Sequence, residues 1–403
     1  MKYDLVFEGG GAKGMVFVGA MHEFEARGHE INRLMGTSAG AITATGLAAG
    51  YSAAEMGAAL MEVRDGKPVF TSFLGVPGDF SKDEIAASSL RAMLEAVDLP
   101  LIPERLEARL DEALLQALLK LPRSRHLFSF LERGGWYTAD AFVEWMSERL
   151  DATAPDGTRR SYSGMTMEAF FEATGRSLSL IAADTSDNHM LILNHHTAPS
   201  VPVVWATRMS MSVPLLWQEV VWQEEWGTYR GRDLTGHRIV DGGLLSNFPI
   251  ELFISAQPHV TAVMGPKQEA GVLGFLIDES LEVPGAAVPA TATAGASGGF
   301  NFGELPALQR LKGLVDTATQ AHDKMVVDAY NFLVCRLPAQ GYGTTEFDMT
   351  PERRDALVAA GRAAAANHFD NPPSAAIAPG MPFAGAPRGG TPADRLATRM
   401  LAE

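Results

Sequence analysis

The hydrophobic pattern at the start of the chain predicts two consecutive strand–helix units. Two short apolar runs have the length of buried strands, and each leads through a glycine-containing turn into a longer apolar segment typical of a helix. The strands span residues 3–7 and 31–35, and the helices span residues 15–27 and 39–49. Each helix ends at a glycine, Gly28 or Gly50, which can adopt the left-handed conformation common at helix ends. This alternation indicates a parallel sheet with helices on its faces.

The pattern becomes mostly helical between residues 52 and 150. Apolar residues recur at every fourth position from Ile102 to Leu118 and form an amphipathic stripe. Such a stripe usually packs on the core, and the alternatives are a cap over an apolar site or a surface that meets lipid. A basic cluster follows, which is typical of a solvated turn but could also contact headgroups; it comprises Arg123, Arg125 and His126. We therefore expect a helical insertion or cap over about residues 66–135.

Strand signals return in the second half of the chain, so the predicted sheet is assembled from both halves. They are found at residues 177–183, 190–194, 220–223, 238–240 and 260–263. Residues 305–334 have the pattern of one long helix. The segment before this helix, residues 283–299, is low in complexity and predicts a mobile loop.

The end of the chain differs in composition from the rest. We expect one domain over residues 1–370, followed by a tail over residues 371–403 that is rich in proline, alanine and glycine. Such a composition provides little apolar surface to bury, and we expect the tail to be poorly ordered. A short stretch within it, residues 395–401, has the pattern of a helix.

The composition excludes several classes of protein. Of the 403 residues, 46% are apolar and 20% charged, which is ordinary for a globular protein. The formal charge of −15 argues against a nucleic-acid binder and against attraction to anionic membranes through bulk charge. A single cysteine, Cys335, cannot form an internal disulfide, and neither a signal peptide nor an apolar run of 18 residues is present. We expect a cytoplasmic protein, although export without a signal peptide would leave no mark.

The first candidate for chemistry is the glycine loop F-E-G-G-G-A-K-G at residues 7–14. Gly9, Gly11 and Gly14 satisfy G-x-G-x-x-G, a pattern that can bind a nucleotide phosphate. A dinucleotide site would need an acidic residue at the end of the second strand, but that end reads L-M-G-T-S-A-G. Met15 stands where a phosphate-binding loop of the Walker A type needs lysine. Nucleotide binding is therefore the weaker hypothesis.

The second strand ends instead in G-x-S-x-G, residues Gly36 to Gly40, between a predicted strand and a predicted helix. In that context the pattern is typical of a nucleophile elbow, in which a strained turn exposes a serine hydroxyl. The serine here is Ser38. Acyl transfer to a serine creates an oxyanion, and backbone amides of the neighbouring loop, Gly9-Gly10-Gly11, could stabilise it.

The base for such a serine is less obvious. A catalytic triad in the order Ser, Asp, His would need a histidine late in the chain, and His259, His322 and His368 are available. None of the three lies at the end of a predicted strand beside a glycine. Asp241 follows a predicted strand and precedes Gly242-Gly243, which predicts that its carboxylate emerges at a strand end near Ser38. The alternative is that Asp241 only caps this glycine turn. A carboxylate with an ordinary pKa is a weak base, so burial would have to raise the pKa of Asp241.

Together, G-G-G-x-K-G, G-T-S-A-G and D-G-G resemble the motifs of the patatin-like phospholipases. Residues 206–214, the sequence N-x-P at residues 247–249 and later segments at residues 273–275 and 343–347 extend the resemblance. It implies a three-layer α/β/α fold with a central, mostly parallel sheet, and a Ser-Asp dyad that hydrolyses glycerolipid esters through an acyl-enzyme.

Carried over position by position, the resemblance implies the following roles. Ser38 is the nucleophile, Asp241 the base, and Gly9, Gly10 and Gly11 form the oxyanion hole, with the amides of Gly10 and Gly11 as donors. The motif-supporting residues are Ala12, Lys13, Gly14, Gly36, Gly40, Gly242 and Gly243. Lys13 is neither an acid nor a base in this scheme, and packing at the helix start, headgroup contact or plain solvation all remain open for it.

The sequence thus predicts a lipid acyl hydrolase of the phospholipase A or lysophospholipase type. The alternatives are a general carboxylesterase or thioesterase, and a lipid-binding module without turnover. We expect a phospholipid or other acyl-lipid substrate and transient contact with a membrane surface, with a protein activator as a further candidate partner, but no nucleic acid, no cofactor and no metal. The one adjacent histidine pair, His195-His196, lacks the spaced partners of a metal site. The sequence does not predict the oligomeric state.

Overall fold

The computed structural model describes residues 1–95, 119–286, 327, 330–372 and 391–402. Within these residues the strands are β1 (Lys2–Phe7), β2 (Glu30–Thr37), β3 (Val63–Arg64), β4 (Lys67–Pro68), β5 (Gly135–Tyr137), β6 (Ser177–Asp184), β7 (His189–Leu193), β8 (Leu215–Trp217), β9 (Val220–Val221), β10 (Thr228–Tyr229), β11 (Arg232–Asp233), β12 (Arg238–Asp241), β13 (Gly271–Asp278) and β14 (Val334–Pro338).

The α-helices of the described residues are α1 (Val16–Ala26), α2 (Ala39–Ala48), α3 (Ala53–Leu60), α4 (Lys82–Ala86), α5 (Ser89–Glu95), α6 (Pro122–Glu132), α7 (Asp140–Leu150), α8 (Met167–Thr174), α9 (Val203–Ser210), α10 (Glu251–Ile254), α11 (Pro258–Met264), α12 (Pro351–Asp370) and α13 (Pro392–Ala402). Short 3-10 turns span Gly11–Met15, Val69–Phe73, Glu224–Trp226, Gly242–Leu244 and Asn331–Leu333. Among these helices, none is long and apolar enough to span a bilayer.

The centre of the molecule is a mixed sheet in the order β14-β13-β1-β2-β6-β12-β9, with β7 also paired to β6. The strands β14, β13, β1, β2 and β6 run parallel to one another, whereas β7, β12 and β9 are antiparallel to their neighbours. The sheet is therefore mostly parallel and draws on both halves of the chain, which confirms the predicted class.

The ends of β2 and β12 meet along one edge of β6. Thr37, the last residue of β2, pairs with Ile181, and Asp241, the last residue of β12, pairs with the next residue, Ala182. Because β7 occupies the opposite edge of β6 at these residues, β12 must continue the line of β2. The two strands approach from opposite directions, so the residues that follow them are brought together.

Helices cover both faces of the sheet. Successive residues of β1 alternate between two cores, because side chains of a strand point to opposite faces. Leu5 and Phe7 belong to the larger core, which includes residues of α1, α2, α7 and α12, whereas Val6 belongs to a second core with α10, α11 and α13. The three-layer α/β/α arrangement is thereby confirmed.

Some predicted elements are wrong. Residues 260–263, which were expected to form a strand, lie in helix α11, because Pro258 can begin a helix and Gly265, at a φ of 76°, ends it. Strand β13 was not predicted, since its apolar run at residues 272–277 is interrupted by a glycine. Val334 belongs to strand β14 rather than to the end of a long helix.

The predicted insertion contains short elements of both kinds. Its described part includes β4, α4, α5 and α6, and β5 at its end pairs with β8. The basic cluster lies in α6 rather than in a solvated turn: Arg125 pairs with Asp79, and the ring of His126 stacks on Trp136. The amphipathic stripe at residues 102–118 lies outside the described residues.

The tail is only partly as expected. Its predicted helix is present as α13, and Ala393 and Ala397 of this helix are fully buried in the second core. This amphipathic helix packs on the second core because it has an apolar side to bury there. Most of the expected mobile loop at residues 283–299 and of the long helix at residues 305–334 lies outside the described residues.

Candidate active site

Ser38 occupies the turn between β2 and α2 and has a strained backbone. Its φ is 54° and its ψ is −119°, a conformation that costs a residue with a side chain about 1–3 kcal/mol. The Ser38 carbonyl accepts hydrogen bonds from the amides of Ala41 (2.9 Å) and Ile42 (3.3 Å), which begin the helix. A strained serine between a strand and the start of a helix has the geometry of a nucleophile elbow.

The glycines that flank Ser38 allow three backbone segments to cross at close range. A methyl group on Gly36 would lie 2.2 Å from the carbonyl oxygen of Gly40. One on Gly40 would lie 2.2 Å from the carbonyl oxygen of Phe7, the last residue of β1. Any larger residue at either position would therefore clash with backbone, and α2 is held against the strand that leads into the glycine loop.

The glycine loop lies directly beside Ser38. A methyl group on Gly9 would lie 3.0 Å from Cβ of Ser38 and 2.2 Å from Oδ1 of Asn247. Farther along the loop, one on Gly14 would lie 2.8 Å from Cβ of Ala39. The structure thus brings together the two glycine motifs that the sequence places on consecutive strands.

Two amides of the glycine loop remain available to bind an acceptor. The amide of Gly9 donates to the carbonyl of Asn247 (3.3 Å), and that of Ala12 donates to the carbonyl of Thr344 (2.9 Å). Between them, the amides of Gly10 and Gly11 donate no hydrogen bond within the described part of the chain, and both glycines are partly exposed. Of the three glycines expected to form an oxyanion hole, Gly9 has its amide already engaged.

Lys13 is buried in the glycine motif. Its side chain is 5% exposed and forms an ion pair with Glu279, which follows strand β13 and is itself exposed. The main-chain amide of Lys13 donates to the carbonyl of Gly10 (3.2 Å). Of the roles left open for this lysine, plain solvation is wrong, and the ion pair with Glu279 engages the ammonium group.

Asp241 lies at the point where β12 meets the end of β2, and only 4% of its surface is exposed. One carboxylate oxygen, Oδ1, accepts a hydrogen bond from the amide of Gly243 (2.8 Å), whereas Oδ2 is buried without a partner among the described residues. Burial raises the pKa of Asp241 to about 7, although the nearby Ser38 hydroxyl and the Gly243 amide both lower it. One oxygen therefore caps the glycine turn, and the other accepts no hydrogen bond within the described residues.

One short segment contacts the backbone of both residues. The hydroxyl of Ser210 accepts a hydrogen bond from the amide of Ser38 (3.2 Å) and donates one to the carbonyl of Ile181 (2.6 Å). Two residues later, the carbonyl of Ser212 accepts a hydrogen bond from the amide of Asp241 (2.9 Å). Both serines are fully buried, so the end of α9 fixes Ser38 and Asp241 relative to strand β6.

Two of the described histidines, His195 and His237, contact residues other than Ser38 and Asp241. The ring of His195 stacks on Phe171 at 3.8 Å, and burial lowers its pKa to about 4. His237 pairs with Asp184 (2.7 Å), and Asp187 beside them pairs with Arg232 (2.6 Å). His237, Asp184 and Asp187 are close enough to hold a metal ion, but each already has a partner within the protein.

Three residues of this site were not assigned a role from the sequence. Ser210 and Asn247 lie in segments noted for their resemblance to a family, and Glu279 had no distinguishing signal at all. Their contacts with Ser38, Gly9 and Lys13 depend on the strand order of the sheet. For Asn247, the available signal was a polar residue shortly after the D-G-G turn, whereas Ser210 lies 31 residues before Asp241 and had no comparable local signal.

Comparison with known proteins identifies a family. A family model described as patatin-like phospholipase matches residues 5–254 of the chain. Among individual proteins, the uncharacterized protein YqhO of Bacillus subtilis (strain 168) is 25% identical over 371 residues, which cover 90% of this chain and 96% of that protein.

Two solved structures are similar at lower identity. VipD from Legionella pneumophila has 18% identity and a TM-score of 0.47, and the match covers 92% of this chain and 67% of that chain. Full-length ExoU from the type III secretion system of Pseudomonas aeruginosa, crystallised in complex with SpcU, has 15% identity and a TM-score of 0.38. That match covers 91% of this chain, which spans about half of the other protein (52%).

Proposed function

The chain belongs to the patatin-like phospholipase family, and from this premise we propose that it is a serine lipid acyl hydrolase of the phospholipase A or lysophospholipase type. Its substrates are fatty-acyl esters of glycerolipids. Ser38 is the nucleophile and Asp241 is the base, and the reaction passes through an acyl-enzyme on Ser38. The observation that carries this proposal is the buried, unpartnered Oδ2 of Asp241 beside the strained Ser38.

In the first half of the reaction, Oγ of Ser38 attacks the carbonyl carbon of the ester while Oδ2 of Asp241 accepts the hydroxyl proton. A raised pKa of about 7 suits this task, because a base works best when its pKa lies near the working pH. The tetrahedral intermediate then collapses and expels the alcohol, which takes the proton from Asp241. An acyl group remains on Ser38, and a lysolipid or glycerol derivative leaves.

The negative oxygen of the tetrahedral intermediate is stabilised by the amides of Gly10 and Gly11. Their freedom from other hydrogen bonds within the described residues supports this assignment, since a donor engaged elsewhere could not serve. Helix α2 begins at Ala39, so its positive end also faces the reacting serine.

In the second half, water attacks the acyl-enzyme while Asp241 again accepts a proton. The second tetrahedral intermediate uses the same two amides, and its collapse returns the proton from Asp241 to Ser38 and releases the fatty acid. The cycle consumes one ester and one water and yields one alcohol and one carboxylic acid, so it needs no cofactor.

The test is release of fatty acid from mixed phospholipid vesicles by the purified protein and by its Ser38→Ala variant, with and without cell extract to supply an activator. We expect release that requires Ser38. Soluble short-chain esters are assayed in parallel, and a preference for them over vesicles would favour a general esterase or thioesterase.

Labelling by a fluorophosphonate provides a second readout, because this probe reacts with activated serines. We expect the wild-type protein to be labelled and Ser38→Ala to remain unlabelled. Absence of both labelling and fatty-acid release under every condition would overturn the proposal and favour a lipid-binding module without turnover.

A further inference from the structure

Asn247 holds both polar backbone groups of Gly9. Its side-chain Nδ2 donates to the carbonyl oxygen of Gly9 (2.9 Å), and its main-chain carbonyl accepts from the amide of Gly9 (3.3 Å). These contacts join the glycine loop to the segment six residues after Asp241. Because both the N–H and the C=O of Gly9 are hydrogen-bonded to Asn247, the backbone of Gly9 cannot rotate without breaking one of these hydrogen bonds.

A carboxylate orients the side chain of Asn247. Nδ2 also donates to Oε1 of Glu8 (3.2 Å), and Oε2 of Glu8 accepts from the amide of Ile277 in strand β13 (2.6 Å). The other atom of this amide, Oδ1, lies close to the α-carbons of Gly9 and Gly243, because a methyl group on either glycine would lie 2.2 or 2.9 Å from it. Asn247 thereby connects three chain segments at the C-terminal edge of the sheet.

The glycine loop is also fixed on the far side of its free amides. The carbonyl of Thr344 accepts from the amide of Ala12 (2.9 Å), and Glu279 pairs with the buried Lys13. The amides of Gly10 and Gly11 thus lie between two anchored points. Preorganised donors of this kind stabilise a developing oxyanion because they need not reorient during the reaction.

We propose that Asn247 is a positioning residue that holds the amides of Gly10 and Gly11 in place for the transition state of ester hydrolysis. The proposal rests on the proposed function. Asn247 acts through Gly9 and does not touch the substrate, so its loss should impair the chemical step and leave substrate binding and the titration of Asp241 unchanged.

The test variant is Asn247→Ala, assayed on p-nitrophenyl butyrate, a soluble ester that avoids effects of vesicle binding. We expect kcat to fall by about 10- to 100-fold, because displacement of the donors weakens binding of the transition state. KM should change by no more than about twofold, and the rate of fluorophosphonate labelling should fall in parallel with kcat. The pH at which kcat/KM is half-maximal should be that of the wild type.

Asn194→Ala is the matched control. Asn194 is a buried asparagine that also holds a loop, with Nδ2 on Ser179 (3.1 Å) and on the carbonyl of Val263 (3.0 Å), but none of its partners belongs to the glycine loop. We expect this variant to lose stability and to keep a wild-type kcat per site titrated with fluorophosphonate. An Asn247→Ala variant that likewise keeps its kcat per titrated site would overturn the positioning role.

Glu8→Gln carries the test if Asn247→Ala is recovered only as aggregate. The amide of glutamine has one acceptor oxygen in place of two, so either Nδ2 of Asn247 or the amide of Ile277 loses its hydrogen bond to residue 8. We expect kcat to fall several-fold at constant KM, with faster hydrogen exchange at residues 8–12. Unchanged kcat and exchange would refute the proposal, whereas a wild-type protein that neither turns over nor labels would instead refute the proposed function.

Discussion

Two buried aspartates in this protein have pKa values that move in opposite directions. Asp241 ends strand β12 and is 4% exposed, and Asp394 lies in the first turn of α13 and is 9% exposed. Burial raises the pKa of each, because a charged carboxylate is poorly solvated inside a protein. The final values differ: the pKa of Asp241 is about 7, and that of Asp394 is about 2.

The deeper burial of Asp241 and the larger number of hydrogen-bond donors around Asp394 together account for the difference. Asp394 accepts hydrogen bonds from the hydroxyl of Ser255, the amide of Ala256, and both the amide and the hydroxyl of Thr391. Asp241 accepts one from Gly243, and its second oxygen is buried without a partner among the described residues, although the nearby Ser38 hydroxyl lowers the pKa of this carboxyl. The well-supplied carboxylate of Asp394 is a weak base that contributes stability, whereas the undersupplied carboxylate of Asp241 is a stronger base and costs stability when it is ionised.

The largest effect is expected from Asp241→Asn on activity. The amide cannot accept the proton of Ser38, so kcat/KM should fall by about 10³-fold. The measurement is steady-state hydrolysis of vesicles and of p-nitrophenyl butyrate, with circular dichroism to verify the fold. Activity within tenfold of the wild type would show that Asp241 is not the base. The contrast between Asp241 and Asp394 would then concern stability alone.

The same variant should gain stability at alkaline pH. Because the folded-state pKa of Asp241 is about 7 against 3.8 for the unfolded chain, the folded protein holds a proton that the unfolded chain has lost. Ionisation therefore lowers wild-type stability as pH rises from about 4 to 7. Asp241→Asn should be more stable than the wild type by up to about 4 kcal/mol at pH 8, and by little at pH 4.

Chemical denaturation at the two pH values measures this difference. The wild type at each pH is the control, since every other group titrates equally in both proteins. A variant that is less stable than the wild type at pH 8 would mean that burial of the ionised Asp241 does not destabilise the folded protein.

The pH dependence of activity gives a third test. Since Asp241 must be ionised to act as a base, kcat/KM should fall about tenfold for each pH unit below about 7 and level off above it. The profile is measured on p-nitrophenyl butyrate between pH 4.5 and 9. An acid limb centred near pH 4 would be incompatible with the raised pKa of Asp241.

The smallest effect is expected from Asp394→Asn. The lowered pKa of Asp394 contributes stability that is present above about pH 4 and is lost as pH falls toward 2. The variant should lose about 1 kcal/mol at pH 7 after allowance for solvent screening, and its kcat should equal that of the wild type. A large loss of activity would mean that α13 influences the site.

The turns of the site were predictable from the sequence, but the partners across the sheet were not. The glycines around Ser38 and in the loop at residues 9–14 have local reasons, since close crossing of backbone excludes side chains there. The sequence placed Asp241 near Ser38 because both residues follow predicted strands. The direction of β12 was not predicted, and this strand runs antiparallel to β6.

The contacts of Ser210, Asn247 and Glu279 depend on strand order and register, which local patterns do not encode. Helix α11 illustrates the same limit, because Val260 and Val263 suit a strand or a helix and the flanking Pro258 and Gly265 decide between them. A segment of four residues is too short for its hydrophobic periodicity to distinguish a strand from a helix.

The end-to-end meeting of β2 and β12 also has a consequence for the order in which the protein matures. When the first 200 residues have left the ribosome, Ser38 and the glycine loop have been made, but Asp241, Ser210 and Asn247, which lie beside them in the folded protein, have not. Such long-range contacts form slowly, since a large loop must close first. The candidate site is therefore completed only when strand β12 and the segment that follows it have been made and have joined the sheet.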